Sequence, residues 1–344
     1  MTQQRTSIGV ISAGAWGTAL AIAANRAGSE VMLYTPNPNV LDSITRKRTN
    51  DVYLPDVFIN PDIAISDSLA QACARDIIIL SVPSQHLRSV CISISDQLDP
   101  SVPVVIATKG IERGSLALMS EVVASVLPQN PIAILSGPNF AVEVANGLPT
   151  ATTIACQDAT VANRVIYAIG GKYFRPYHSE DIIGTQVGGS VKNVIAIGCG
   201  IAIGRGLGEN ARAALITRGI TEMARLCLAK GGRQETLMGF SGFGDLVLTC
   251  GSSISRNMSL GIEIGRQRQP VKMILENNQR KLAEGVATAE SVNDLAGRIG
   301  IAMPICKAVH AIISETMDID QAIAQLLERP FVPEAVRPGF KHAS

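Results

Sequence analysis

The stretch IGVISAGAWGTALA, residues 8–21, decides the fold of the first half of the chain. Its apolar start, Ile8 to Ile11, predicts a buried strand, and the residues from Trp16 to Arg26 predict a helix. The turn between them matches the dinucleotide-binding pattern Gly-x-Gly-x-x-Gly at two positions, because Gly14 and Gly17 are present but Ser12 stands where the first glycine would be. The stretch therefore predicts a strand, a tight turn and a helix in that order.

Strands and helices continue to alternate up to about residue 188. The run Ile77–Val82 has no apolar–polar alternation, which is typical of a strand buried on both faces of a sheet. Asn37 and Pro38 form a helix start, with asparagine as the cap and proline in the first turn. Further strands are predicted at Val31–Tyr34, Ile63–Ile65, Val104–Ala107 and Ile132–Leu135. This order predicts an α/β, Rossmann-like, doubly wound parallel sheet with helices on both faces.

Beyond that point the pattern becomes helical throughout. Helices are predicted at Val191–Ile203, Asn210–Lys230, Gly244–Thr249, Arg256–Arg266, Pro270–Asn277, Ala289–Arg298, Pro304–Ser314 and Ile319–Leu327. We therefore predict a dinucleotide-binding domain over residues 1–188 and an all-α C-terminal domain, with substrate-binding and catalytic residues, over residues 189–335. Residues 336–344 are predicted to form a loosely held tail.

Composition limits the possible functions. The chain has 344 residues, of which 47% are apolar and 17% charged, and this suits a well-filled core. The formal net charge of +1 gives no reason to expect nucleic acid or a membrane as partner. The N-terminus lacks the apolar core of a signal peptide, and the apolar stretch Val194–Ile203 is too short to span a bilayer. We expect a cytoplasmic protein.

The cysteines and histidines indicate neither a disulfide framework nor a metal site. The seven cysteines are scattered and never form a Cys-x-x-Cys pair, and the four histidines lie far apart. Free thiols in a reducing compartment are the expected state.

The glycine turn has two interpretations. In a cofactor site the second glycine lets the backbone approach the pyrophosphate, and the third lets the helix pack on the strand. Gly14 and Gly17 keep these two roles, and Ser12 can replace the first glycine if its φ is negative. The helix start would then direct free N–H groups at the phosphates. The alternative is a structural turn that binds nothing.

The end of the second strand permits NADPH as well as NADH. An NAD-specific site usually has an acidic residue there to hold the ribose 2′-hydroxyl. Residues 34–37, Tyr-Thr-Pro-Asn, contain no acid. Arg46, Lys47 and Arg48 follow, and an arginine could pair with a 2′-phosphate. The alternative for these three residues is a solvated helix end.

Three charged residues in apolar or glycine-rich surroundings are candidates for catalysis. Lys192 precedes an apolar helix, and burial there would move its pKa toward the range useful for proton transfer. Lys109 ends a buried strand, where ligands bind in open α/β sheets. Asp245 needs a cation partner, and Lys192 is a candidate. The alternatives are a helix-end lysine that reaches water and an ordinary loop lysine.

Ser255, Arg256 and Asn257 lie at a predicted helix start. Backbone N–H groups, a guanidinium and an amide at such a position can form an anion site. The alternative is simple helix capping by Ser255.

At these stretches the sequence resembles the bacterial type of NAD(P)-dependent glycerol-3-phosphate dehydrogenases. The matching segments follow the family's order over about residues 8–310: AGAWGTALA, YLPDV, ATKGIE, SGPNFAVEVANGLPTA, GGSVKNVIAIGCGIAIGRGLGENARAALITRG, GFSGFGDLVLTC, SRN and EGVATAESV. The resemblance implies reversible reduction of dihydroxyacetone phosphate to sn-glycerol 3-phosphate by NADH or NADPH. This activity would supply glycerol 3-phosphate for glycerophospholipid synthesis.

The resemblance also assigns roles to individual residues. It gives the general acid/base role to Lys192, and catalytic roles to Lys109 and Asp245. The implied cofactor contacts are Gly14, Ala15, Trp16, Gly17, Lys109, Ala141, Arg256, Leu282 and Glu284. The implied substrate contacts are Lys109, Gly137, Asn139, Lys192, Asn193, Asp245, Thr249, Ser255, Arg256 and Asn257. The family usually has glycine where this chain has Ser12, and threonine or serine where it has Asn139.

Two other functions remain possible on the sequence alone. One is a different lysine-dependent dehydrogenase of similar architecture, such as a β-hydroxyacid dehydrogenase or a ketopantoate reductase, which act on carboxylates. The other is a dinucleotide sensor without catalytic activity, which could dispense with Lys192, Lys109 and Asp245. Apolar faces on the helical domain favour a homodimer.

Overall fold

A computed structural model describes residues 5–266, 269–277 and 283–330. Its centre is an eight-stranded sheet in the order β3-β2-β1-β4-β5-β6-β7-β8. The strands are β1 (Ser7–Ile11), β2 (Glu30–Tyr34), β3 (Ala64–Ser66), β4 (Ile77–Leu80), β5 (Val104–Ile106), β6 (Ile132–Ser136), β7 (Thr150–Ala155) and β8 (Phe174–Ser179). The six predicted strands are confirmed, with ends that differ by one or two residues.

The sheet is parallel from β3 to β6, as predicted, and then changes direction. β7 pairs antiparallel with β6, with Ser136 opposite Thr153, and β8 runs parallel to β7. The sequence analysis missed both strands. β8 contains Pro176 and lies at the sheet edge, where proline is tolerated because one side of the strand needs no ladder hydrogen bond. Its mostly exposed side chains give no apolar signal.

Helices cover the sheet. In the first half they are α1 (Ala15–Arg26), α2 (Pro38–Lys47), α3 (Leu69–Cys73), α4 (Leu87–Ile94), α5 (Met119–Val126), α6 (Ala141–Ala145) and α7 (Ala159–Ile169). The predicted cap of α2 is confirmed, because the Asn37 side chain accepts a hydrogen bond from the N–H of Asn39 at 3.0 Å. The apolar strands and the inner faces of these helices form a core on each side of the sheet.

The second half is helical, as predicted. It contains α8 (Ile182–Gly204), α9 (Gly208–Ala229), α10 (Asp245–Gly251), α11 (Arg256–Gly265), α12 (Val271–Asn277), α13 (Glu284–Ile299), α14 (Pro304–Ile313) and α15 (Ile319–Leu327). The change from sheet to helices comes at the start of α8. The predicted domain boundary between residues 188 and 189 therefore lies inside this helix, and the predicted tail, 336–344, lies outside the described residues.

Helix α8 is the centre of the helical half. It has 23 residues, more than the predicted Val191–Ile203, and by length and composition it could cross a membrane. Most of its residues are buried by the helices around it, including α9, α10, α11, α13 and α14. This burial is what the core helix of a globular domain shows.

Helices α8 and α11 approach each other closely along two pairs of glycines. A Cβ atom on Gly200 would lie 2.3 Å from the carbonyl oxygen of Met258 and 2.8 Å from the Cα of Gly261. One turn further, a Cβ on Gly204 would lie 2.9 Å from the Cα of Gly265. Any side chain at these positions would force the helices apart. The contact fixes the position of α11 relative to α8.

Candidate active site

The candidate site lies where the carboxyl ends of β5 and β6 meet the helical half. Lys109 follows β5, and Gly137 follows β6. Lys192 projects from the third turn of α8, and Asp245 and Thr249 lie one turn apart on α10. In open α/β sheets the crevice beyond the carboxyl ends of the strands is where ligands bind. The fold thus places the two lysines and the carboxylate predicted from sequence together.

One carboxylate binds both lysines. The ammonium of Lys192 donates hydrogen bonds to Oδ1 of Asp245 and, at 2.8 Å, to the hydroxyl of Thr249. The ammonium of Lys109 donates to Oδ2 of Asp245 at 2.6 Å and to the carbonyl oxygen of Gly137 at 3.3 Å. Asp245 is 1% exposed and Lys192 is 7% exposed, so these charges interact in a medium that screens them weakly.

Burial lowers the pKa of the Lys192 ammonium from 10.5 to about 8. Desolvation is the largest cause, because a buried ammonium loses the hydration that stabilises its charge. The Asp245 carboxylate opposes this effect and favours the proton, whereas the neighbouring Lys109 ammonium disfavours it. A group with this pKa carries a proton at neutral pH and can release it with a small change in environment, as a general acid must.

The predicted anion site at the start of α11 is partly occupied by contacts within the protein. The Ser255 hydroxyl accepts a hydrogen bond from the N–H of Met258, so helix capping by Ser255 is confirmed. The side-chain oxygen of Asn257 accepts the N–H of Gly285, at the start of α13, at 3.0 Å. Arg256 is exposed, and its guanidinium makes no hydrogen bond or ion pair to the described part of the chain. Arg256 is therefore available to bind an anion.

The other predicted substrate residues lie near this centre or near the cofactor turn. Asn193 is buried beside Lys192 on α8, and its carbonyl oxygen faces Gly285. The amide nitrogen of Asn139 donates to the carbonyl of Ala151 at 2.9 Å, whereas its side-chain oxygen is buried and accepts no hydrogen bond from the described residues. The side-chain oxygen of Asn139 is therefore an acceptor that does not bind β7. The threonine or serine usual in the family would have a hydroxyl instead.

Two predicted cofactor residues lie at helix starts. Ala141 begins α6 and Glu284 begins α13, and both are partly exposed. Leu282 lies outside the described residues.

The glycine turn has the geometry of a dinucleotide site, with one correction. The space over Gly14 is open, since a Cβ there would meet only the Ser12 hydroxyl, at 3.8 Å. A Cβ on Gly17 would lie 1.9 Å from the Ser12 carbonyl oxygen, so this glycine permits the close packing expected of it. The condition set for Ser12, a negative φ, is not met: its φ is +93°, the conformation that a glycine adopts at the tight turn.

The residues of this turn fit a cofactor. The start of α1 has no side-chain cap, so its first N–H groups are free for an anion, as at other phosphate-binding helix starts. The indole N–H of Trp16 is buried and has no hydrogen-bond partner in the part of the chain that the structure describes. Ala15 and Trp16 are both partly exposed beside Gly14. Free donors and an open approach over Gly14 are what a bound pyrophosphate requires.

The three basic residues after the second strand are already engaged. Arg46 pairs with Asp42, and Lys47 pairs with Asp51 at 2.8 Å. The Arg48 guanidinium donates to the carbonyl oxygens of Pro61 and Ile63. The pairs of Arg46 and Lys47 are exposed and therefore weak. The structure thus favours the solvated-helix-end interpretation for Arg46 and Lys47 and a structural role for Arg48.

Sequence analysis missed one residue that supports the cofactor turn. Asn50 is fully buried, and its amide donates to the carbonyl of Ala13 at 2.8 Å and to the hydroxyl of Thr18 at 2.9 Å. It links the loop after α2 to both sides of the glycine turn. An asparagine in a polar loop carries no local signal for such a contact, since its partners lie more than thirty positions away.

Comparison with known proteins agrees with this geometry. The model for the N-terminus of NAD-dependent glycerol-3-phosphate dehydrogenase matches residues 7–162, and the model for its C-terminus matches residues 181–324. The chain belongs to the NAD-dependent glycerol-3-phosphate dehydrogenase family. A glycerol-3-phosphate dehydrogenase [NAD(P)+] from Maricaulis maris is 48% identical over 328 residues, which are 95% of this chain and 98% of the relative.

Solved structures of this family have the same fold. The glycerol-3-phosphate dehydrogenase from Coxiella burnetii superposes with a TM-score of 0.90 at 39% identity, covering 94% of this chain and 99% of that one. A ketopantoate reductase from Ralstonia eutropha reaches a TM-score of 0.58 at 15% identity, covering 90% of this chain and 97% of that one. The latter likeness concerns the fold alone. The family resemblance seen in the sequence is confirmed, and a nicotinamide cofactor, NADH or NADPH, is the one the family uses.

Proposed function

We propose that this chain reversibly reduces dihydroxyacetone phosphate to sn-glycerol 3-phosphate, using NADH or NADPH. The observation that carries the proposal is the buried Asp245 carboxylate, which holds the ammonium groups of Lys192 and Lys109 together at the carboxyl edge of the sheet. A carbonyl needs a cation beside its oxygen and a proton donor when it is reduced. This arrangement supplies both within one hydrogen-bonded unit.

The bound cofactor supplies a hydride to the C2 carbon of the substrate. The free N–H groups at the start of α1 and the open space over Gly14 would hold its pyrophosphate. Ala141, Glu284 and Leu282 would complete the cofactor site, as the family resemblance implies.

The protein groups act on the substrate oxygen. Negative charge develops on the C2 oxygen as the carbon is reduced, and the Lys192 and Lys109 ammonium groups stabilise it. Lys192 then gives its proton to this oxygen, which its lowered pKa of about 8 favours. Asp245 keeps both ammonium groups oriented, and the Thr249 hydroxyl accepts a further hydrogen bond from Lys192.

The phosphate of the substrate would bind at the start of α11. Arg256 has a free guanidinium there, and Asn257 is held in place by α13. Binding the phosphate away from the reacting carbon orients the substrate and lowers the entropic cost of the reaction. Gly137, Asn139, Asn193 and Ser255 would line the remaining surface of this site.

The test follows the loss of reduced-nicotinamide absorbance with dihydroxyacetone phosphate, comparing NADH with NADPH, and with ketopantoate as a competing substrate. We expect turnover with the phosphorylated ketone only. Lys192→Ala should lower kcat by about 10²–10⁴-fold, since general acid catalysis contributes that much. Turnover of ketopantoate instead would favour the carboxylate-reducing enzymes, and cofactor binding without turnover of either substrate would favour a sensor.

The cellular role and assembly are further parts of the proposal. Glycerol 3-phosphate made by this reaction would supply glycerophospholipid synthesis, and the enzyme would act in the cytoplasm. A homodimer is supported by exposed apolar side chains on the helical half, including Leu207 and Leu228. Sedimentation equilibrium measures the mass directly, and a monomer at micromolar concentration would contradict the dimer.

A further inference from the structure

Ser12 has a backbone conformation that costs a serine free energy. Its φ of +93° lies in the region that favours glycine, because the Cβ of any other residue crowds the backbone there. Its neighbours fix this conformation. The N–H of Ser12 donates to the carbonyl of Tyr34 at 3.1 Å, and the Ser81 hydroxyl donates to the carbonyl of Ser12 at 3.1 Å. The ends of β2 and β4 therefore hold Ser12 in place.

The hydroxyl of Ser12 borders the space over Gly14. A Cβ on Gly14 would find the Ser12 hydroxyl oxygen at 3.8 Å and no other heavy atom within 4 Å. The Ser12 side chain is partly exposed, and its hydroxyl makes no hydrogen bond to the described residues. The hydroxyl donor thus lies at the edge of an open space and has no hydrogen-bond partner among the described residues.

This space is where the family binds the cofactor pyrophosphate. The second glycine of the motif exists so that the phosphates can approach the backbone. The start of α1 adds uncapped N–H groups and the positive end of a twelve-residue helix on the same side. An additional O–H donor in this position would face a doubly charged group, and hydrogen bonds to charged acceptors are the strong ones.

We propose that the Ser12 hydroxyl donates a hydrogen bond to the pyrophosphate of the bound NADH or NADPH. The inference rests on the cofactor use proposed above and adds a binding residue that a glycine cannot replace. The hydrogen bond offsets the cost of the backbone conformation. Ser12 raises the free energy of the turn when no cofactor is bound and lowers it when the cofactor is bound. Strained residues persist where function offsets their cost.

Two substitutions separate these effects. Ser12→Ala keeps the Cβ and its strain but removes the hydroxyl, whereas Ser12→Gly removes both. Ser7→Ala is the matched control, because it removes a hydroxyl from the opposite end of the same strand, where Ser7 donates to Asp76. Trp16 is the only tryptophan of the chain and lies in the glycine turn, so its fluorescence reports cofactor binding without turnover.

We expect Ser12→Ala and Ser12→Gly to raise the Kd of NADH and of NADPH by the same factor, about tenfold, as loss of a hydrogen bond to a charged group does. The cofactor-free Ser12→Gly protein should melt no lower than the wild type, since it loses the strain. Ser7→Ala should keep the wild-type Kd.

Three results would overturn the inference. The first is a Kd of Ser12→Ala within twofold of the wild-type Kd. The second is a loss of affinity confined to NADPH, which would place the contact at the 2′-phosphate. The third is the same loss of affinity in Ser7→Ala. If wild-type protein bound neither cofactor, the proposed function would fail as well, so the two failures are distinguishable.

Discussion

Lys192 and Asp245 form an ion pair in which both side chains are almost fully shielded from solvent. A lone buried ammonium would be neutral at ordinary pH, because its desolvation is costly. The carboxylate of Asp245 offsets part of this cost and keeps the pKa of Lys192 near 8. The lysine is therefore charged when substrate arrives and able to lose its proton during turnover.

The pH dependence of catalysis should follow this pKa. Reduction of dihydroxyacetone phosphate requires protonated Lys192, which predominates below about pH 8. We expect kcat for reduction to fall as pH rises through this value, and kcat for oxidation of glycerol 3-phosphate to rise. Initial rates at saturating substrate from pH 6 to 10 measure both profiles. Flat profiles across this range would contradict the role of Lys192 as proton donor.

Asp245→Asn should slow catalysis and move the pH profile. The carboxylate favours the protonated lysine, so its removal lowers the pKa of Lys192 further. The fall of kcat for reduction with rising pH therefore begins at a lower pH. We expect kcat at pH 8 to fall about 10²-fold or more, since both ammonium groups lose their common partner. Thr249→Val is the comparison, because it removes a neutral contact of Lys192. An unshifted pH profile in Asp245→Asn would contradict the effect of Asp245 on the pKa of Lys192.

Arg256→Ala should weaken binding of the substrate phosphate. A lost charge-assisted contact of about 1.5–3 kcal/mol raises KM for dihydroxyacetone phosphate by about 10–100-fold. The much slower reduction of unphosphorylated dihydroxyacetone should change little. Arg266→Ala, just beyond the other end of α11, serves as control. Equal losses with both substrates would remove the phosphate role.

Gly285→Ala should disturb the substrate site through Asn257. A Cβ at position 285 would lie 2.6 Å from the side-chain oxygen of Asn257 and 2.8 Å from the carbonyl of Asn193. We expect a raised KM for the phosphorylated substrate and a lower melting temperature. Gly297→Ala is a matched control on the same helix, since a Cβ there meets nothing within 4 Å. This control should keep KM and raise stability by about 0.5–1 kcal/mol. Similar effects in both variants would show that α13 is simply intolerant of alanine.

Asn50→Ala should loosen the cofactor turn. Truncation leaves the carbonyl of Ala13 and the hydroxyl of Thr18 without their buried donor, which costs about 1–3 kcal/mol. We expect a lower melting temperature and weaker binding of NADH and NADPH, measured by Trp16 fluorescence, with KM for dihydroxyacetone phosphate less affected. Wild-type cofactor affinity in a destabilised variant would limit Asn50 to a structural role.

Local chemistry explains which parts of the site could be predicted. Lys192 and Asp245 stand in apolar sequence, where a charge needs a partner, and the structure brings them together. The capping asparagine of α2 and the buried strand β4 are likewise encoded by adjacent residues.

The features that could not be predicted from the sequence depend on contacts between distant segments. The positive φ of Ser12 is imposed by hydrogen bonds from β2 and β4, which a single turn does not reveal. Asn50 donates to the carbonyl of Ala13, and the N–H of Gly285 donates to the side-chain oxygen of Asn257; both partners lie far along the chain. The edge strand β8 lacks apolar alternation because most of its side chains face solvent.

The glycine contacts between α8 and α11 determine which parts of the enzyme can move. Gly200 and Gly204 leave no space between these helices, so Lys192 and Arg256 belong to one rigid block. Lys109 reaches this block from the sheet through its ion pair with Asp245. Separating the sheet from the helices would break this ion pair, together with the Arg113–Glu290 and Lys230–Glu121 pairs that also join the two halves of the chain.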